Sequence, residues 1–262
     1  MGLEKDTWVD HDGLQFHCRV DGPEGAPWVV FCNSLLTDVT MWDAQVAALP
    51  NRRVLRYDQR GHGKTTVPEG PATLAQLGDD LIAILDAIAV ESCDFVGISM
   101  GVPTGLHLYE RAPGRVRRLL LSDGQSATAP TGAANWQARI DAAQAGGMEA
   151  AAAEAVARWF GAESLDEDGA RQVMSVARQT PLGGFVACAR ALQDYDYRHV
   201  LPKLSVPVLL VAGANDGAMP QSMQVMATSI PGARLAVIPD AGHLPPVEQP
   251  QRFNIEMTEF FA

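Results

Sequence analysis

The chain has 262 residues, 47% of them hydrophobic and 19% charged, with 24 Gly and 17 Pro. That composition fits one globular domain with many tight connections and excludes disordered and fibrous classes. The net charge of −11 gives an average surface field that repels phosphate backbones and anionic headgroups, so neither a nucleic acid nor a membrane is expected as partner.

Residues 8–9 and 14–20 are expected to pair as an antiparallel hairpin around Asp12-Gly13. Residues 28–32 follow as a strand, 41–49 as a helix, and 53–57 as a second apolar strand. In the helix predicted over 74–89, Leu74, Leu77, Leu81, Ile84, Leu85 and Ile88 recur at helical spacing and mark a core stripe. A strand over 93–98, a helix over 102–111 and a strand over 116–121 continue the alternation. The rhythm then breaks, with Ala-rich helical patterns over 148–160, 168–179 and 184–191 and no strand-like run. It resumes with strands over 207–212 and 234–238 and helices over 220–229 and 250–261.

Alternation of this kind predicts an α/β fold with a mostly parallel sheet and helices on both faces. Residues 1–123 and 201–262 are assigned to that core, and 124–200 to a helical insertion. The insertion is expected to cap the C-terminal ends of the strands, where open α/β sheets place ligands.

Cys18, Cys32, Cys93 and Cys188 form no CxxC pair and no His-Cys spacing suited to a metal, so they read as small buried hydrophobes. The N-terminus has charge and Gly where a secretory signal needs an apolar core, and no run approaches the ~18 apolar residues of a membrane span. A soluble, cytoplasmic protein is therefore expected, with homo-oligomerisation left open.

The chemistry gathers in the loops. Gly97-Ile98-Ser99-Met100-Gly101 follows an apolar strand and opens a helix, the context of a nucleophile elbow with Ser99 exposed on a sharp turn. A serine hydroxyl needs a base, and His243 lies in the loop after the last strand. His62 precedes Ser99 in the chain and reads as a structural loop histidine. Asp216, after the strand over 207–212, is the expected acid that orients His243. Asp123, which ends the strand over 116–121, is a rival that could also approach the imidazole. The expected oxyanion donors are the backbone N–H groups of Met100 and Leu35, each worth roughly 3 kcal/mol in the transition state.

The order Ser, Asp, His is that of the α/β hydrolases. Within them, Asn33-Ser34-Leu35, Met41-Trp42-Asp43, the run from Leu55 to Gly63 and Gly97-Ile98-Ser99-Met100-Gly101 resemble the 3-oxoadipate enol-lactonases. Asn33-Ser34 is the more discriminating feature, since most α/β hydrolases carry His-Gly there. Trp136 and Arg139 resemble a Trp-x-x-Arg segment of these lactonases.

The resemblance implies opening of a carboxylated lactone through an acyl-enzyme, with no metal or organic cofactor. Arg139 would be the local cation that an acidic chain needs to hold a carboxylate; the other reading has it packing on Trp136 in the insertion. Asn33, Ser34, Asp123 and Gln125 are the further residues expected to face a small-molecule substrate. Val102-Pro103 and Ser122-Asp123-Gly124-Gln125 depart from the family pattern and bear on which substrate is taken. Two other readings keep the same fold: a carboxylesterase, other lactonase or C–C bond hydrolase, and a silent receptor that binds a small ligand without turning it over.

Overall fold

The computed structural model describes residues 5–161, 164–165 and 167–262. The first residues of the N-terminus, on which the expectation of no leader partly rests, lie outside them. β1 (Lys5–His11) and β2 (Leu14–Asp21) form the hairpin. Asp12 at φ 50° and Gly13 at φ 72° both adopt the left-handed region at its turn, which matches the twist of paired strands.

The remaining strands are β3 (Trp28–Cys32), β4 (Arg53–Tyr57), β5 (Cys93–Ile98), β6 (Val116–Ser122), β7 (Val208–Gly213) and β8 (Arg234–Ile238). They join the hairpin in one sheet of order β1-β2-β4-β3-β5-β6-β7-β8. β2 is antiparallel to both its neighbours, and from β4 to β8 every pairing is parallel. All residues of β5 and β7 are buried, as expected for strands covered on both faces.

The helices are α1 (Asp43–Ala47), α2 (Leu74–Ala87), α3 (Gly101–Arg111), α4 (Gly132–Phe160), α5 (Asp168–Ala177), α6 (Leu182–Ala191), α7 (Met219–Thr228), α8 (Pro245–Glu248) and α9 (Pro250–Phe261). α2 begins at a capping box in which the Thr73 side chain accepts from Gln76 N and the Gln76 side chain accepts from Thr73 N. Leu74, Leu77, Leu81, Ile84 and Leu85 of its predicted stripe are buried. α4, α5 and α6 occupy the stretch between β6 and β7.

Two elements differ from the sequence expectation. The helix predicted over 41–49 is a 3-10 turn at Val39–Trp42 followed by the short α1. Asp38 Oδ1 accepts from Thr40 N at 2.9 Å, and Trp42 Nε1 donates to Asn33 Oδ1 at 2.7 Å, so side chains hold a tight turn against propensity. α4 begins at Gly132 rather than at residue 148. Gly147, at φ 79° and ψ 173°, is a kink between two helical halves. Both halves are rich in alanine, the residue that favours helix most.

Candidate active site

β3, β5, β6, β7 and β8 are successive parallel neighbours, so their C-terminal ends share one edge of the sheet. The loops leaving that edge carry Leu35, Ser99, Asp123, Asp216 and His243 in the same order. All five line one cavity of ≈ 360 Å³, together with Gln125, Trp136, Arg139, Trp159 and others from α4 and α6. Residues far apart in the chain thus meet because the topology aligns the ends of their strands.

Ser99 sits at φ 55°, a left-handed backbone rare for a residue with a side chain, between β5 and α3. Two neighbours make room for this turn. A Cβ at Gly97 would strike the Gly101 carbonyl, and one at Gly101 would strike that of Cys32. Ser99 N donates to Ser122 O at 2.8 Å and Val102 N to Ser99 O at 3.0 Å, which hold the strained turn in place. Pro103 falls in the first turn of α3, where a missing N–H breaks no helix bond.

His243 Nδ1 lies 2.7 Å from Asp216 Oδ2. That contact keeps the proton on Nδ1 and leaves Nε2 as the basic nitrogen. The two loops are bound to each other: Ala214 N donates to Ile238 O at 2.9 Å and Asn215 N to Ala241 O at 2.8 Å, and a Cβ at Gly213 would fall on the Gly242 carbonyl. Among the described residues, His243 is the one histidine that lines the cavity. His62 is buried, with Nδ1 3.1 Å from Arg60 O, which fits the structural role read from sequence.

Asp123 is fully buried at φ 44°. Its carboxyl accepts from Gly213 N at 2.8 Å and from Ser122 Oγ at 2.6 Å. Burial first, and the nearby charge of Asp216 second, push it well above the usual carboxylate range. An acid held in this way ties β6 to β7, whereas Asp216 is the one in contact with the imidazole.

Leu35 and Met100 are buried, and among the described residues the backbone N–H of neither donates to another protein group. Unsatisfied buried amides are rare, and these two flank the elbow where an oxyanion would form. Trp136 and Arg139 line the cavity, with the guanidinium carbon 4.5 Å from the indole centroid. Burial lowers the pKa of Arg139, and the carboxylate of Glu154 opposes that shift. Gln125 also reaches the cavity wall.

Two expectations are corrected. Asn33 and Ser34 do not line the cavity. The Asn33 amide is spent on the fold, donating to Tyr57 O at 3.0 Å and accepting from Trp42 Nε1 at 2.7 Å. Ser34 is buried, with its carbonyl accepting from Thr37 Oγ1 at 2.8 Å. Asn33 therefore shapes the loop that carries Leu35, while the Ser34 hydroxyl is buried without a hydrogen-bond partner among the described residues.

Residues that the sequence did not single out complete the site. Trp159 stacks on the imidazole with centroids 5.7 Å apart at 20°, and its carbonyl accepts from His243 N at 3.0 Å. Glu248 accepts from Gly242 N at 2.7 Å and Leu244 N at 2.8 Å, clamping the backbone on either side of His243. The only sequence signal for Glu248 is an acid one short turn beyond the histidine loop.

Glu248→Ala should remove both bonds. It should lower stability by about 1–3 kcal/mol in thermal or denaturant melts. It should also reduce kcat by up to about a hundredfold through misplacement of the imidazole, with a smaller effect on KM.

A strained serine after a central strand, a His-Asp pair on the loops of the last two strands, and a sheet of this order define a class. The chain belongs to the alpha/beta hydrolase fold family, whose sequence profile matches residues 27–250. It is 37% identical over 252 residues to 3-oxoadipate enol-lactonase 1 of Acinetobacter baylyi, covering 94% of this chain and 92% of that one. The enol-lactonase from Burkholderia xenovorans LB400 superposes with a TM-score of 0.91 at 34% identity, over 97% of this chain and 99% of that one. A hydrolase from Pseudomonas aeruginosa PA01 superposes with a TM-score of 0.93 at 37% identity, over 98% of each chain.

Proposed function

We propose that the protein is a serine hydrolase that opens a small carboxylated lactone of the 3-oxoadipate enol-lactone type. One observation carries the reading: the 2.7 Å His243–Asp216 contact faces the same cavity as Ser99 and as a guanidinium stacked on Trp136. The similarity to enol-lactonases at 34–37% identity supports the same substrate class.

In this mechanism Ser99 Oγ attacks the lactone carbonyl while His243 Nε2 takes its proton. The developing oxyanion is met by the N–H groups of Leu35 and Met100, and Asp216 stabilises the imidazolium. The ring C–O bond then breaks, and the departing enolate recovers the proton from His243 and tautomerises to a ketone. Water loses a proton to His243 and attacks the acyl-enzyme; His243 returns that proton to Ser99 Oγ as the acyl bond breaks, and the released acid ionises to a second carboxylate.

Arg139 grips the carboxylate arm, a demand that follows from the chain's acidic field. Hydrolysis of 3-oxoadipate enol-lactone, compared with neutral p-nitrophenyl esters, tests the substrate class. Labelling of Ser99 by a fluorophosphonate separates an enzyme from a silent receptor. Higher kcat/KM on the neutral esters, or no labelling, would overturn the reading. Arg139→Ala should remove a charge-assisted contact of about 1.5–3 kcal/mol, and so lower the ratio of kcat/KM for the carboxylated lactone over a neutral ester by roughly ten- to a hundredfold.

A further inference from the structure

The cavity holds a second guanidinium, that of Arg158, and a carboxylate, that of Glu154, which the chemistry above does not use. Both lie in the second half of α4, whereas Arg139 lies in the first. In an unbroken α-helix, residues 139 and 158 would stand about 28 Å apart, at ~1.5 Å per residue. The kink at Gly147 instead brings both to the wall of one cavity.

The two cations feel each other: burial lowers the pKa of Arg158, and the charge of Arg139 lowers it further. Two like charges in one cavity call for an anion nearby, and Glu154 lines the same cavity. Its field acts on both arginines, and its Oε1 lies 3.5 Å from Arg158 Nη1.

That contact is long for a charge-assisted bond, which closes to about 2.7–2.9 Å when well formed. Glu154 keeps 61% of its side-chain surface exposed and the more buried Arg158 keeps 38%, so solvent reaches the pair and it is loose and readily exchanged. The resident carboxylate therefore holds the place of an incoming one without closing it.

Resting on the carboxylated substrate assigned above, we infer that Glu154 and Arg158 form an exchangeable ion pair: the carboxylate arm of the substrate displaces Glu154 and is held between Arg158 and Arg139. Glu154 is then a selectivity element. A neutral ligand offers the two arginines nothing in its place and leaves the pair closed.

The test uses levulinate, a small oxo-carboxylate, as a competitive inhibitor of p-nitrophenyl ester hydrolysis by the full chain. Glu154→Gln removes the competing anion and should lower Ki by about three- to tenfold, a tightening that general damage to the fold does not produce. Arg158→Ala should raise Ki by about tenfold or more, and Arg158→Lys by less.

An unchanged or raised Ki in Glu154→Gln, or an unchanged Ki in Arg158→Ala, overturns the exchange. If Arg139→Ala alone raises Ki, the exchange fails and the substrate class stands. If levulinate does not inhibit the wild-type protein, or if Arg139→Ala also leaves Ki unmoved, the carboxylate reading falls with it.

Discussion

Ser99→Ala should lower turnover of the lactone by up to about a millionfold while leaving the fold intact, because members of a triad act as a unit. The variant retains the neighbouring amides of Leu35 and Met100, so a residual acceleration over water of roughly a thousandfold or more should survive. Alanine at φ 55° bears the same backbone strain as serine, so thermal melts should shift little. Long-time hydrolysis assays with the carboxylated lactone check the loss and the residual rate, a thermal melt checks the fold, and loss of fluorophosphonate labelling checks that Ser99 is the reacting group. A variant that keeps more than about a hundredth of wild-type kcat would remove Ser99 as nucleophile.

Asp216→Asn should reduce kcat by about ten-thousandfold, since an amide facing Nδ1 favours the tautomer whose Nε2 already carries a proton. The paired variant Asp123→Asn discriminates between the two acids read from the sequence. The Asp123 carboxyl is engaged by Gly213 N and Ser122 Oγ, and its raised pKa favours the neutral form, which an amide mimics. Its replacement should therefore change kcat by less than about tenfold. A larger loss in Asp123→Asn than in Asp216→Asn would reverse the assignment.

Much of this was legible in the sequence because strands buried on both faces write themselves as apolar runs, and loops at their ends carry the reactive residues. The runs over 93–98 and 207–212 correspond to β5 and β7, and Ser99 and Asp216 follow them directly. What was hidden depended on contacts between distant segments. The helical pattern is read on one side of Gly147 only, although 132–146 is also rich in alanine, and nothing local shows that Arg139 and Arg158 line one cavity. Glu154 and Arg158 stand four apart, a spacing that on most helices marks a solvated pair. Asn33 was misplaced for the same reason: an amide in an active-site loop looks available for a ligand, and only the positions of Tyr57 and Trp42 show it consumed.

The crossing of the Gly213 and Gly242 backbones has a mechanical consequence. Asp216 and His243 cannot drift apart without parting two main chains that touch, so their loops hold together as one block, while Ser99 stands on the separate turn between β5 and α3. Thermal agitation then has one gap left to vary, the one the proton must cross. Substituents on the ligand can tune reactivity by pressing on that gap without ever disturbing the orientation of the ring that receives the proton.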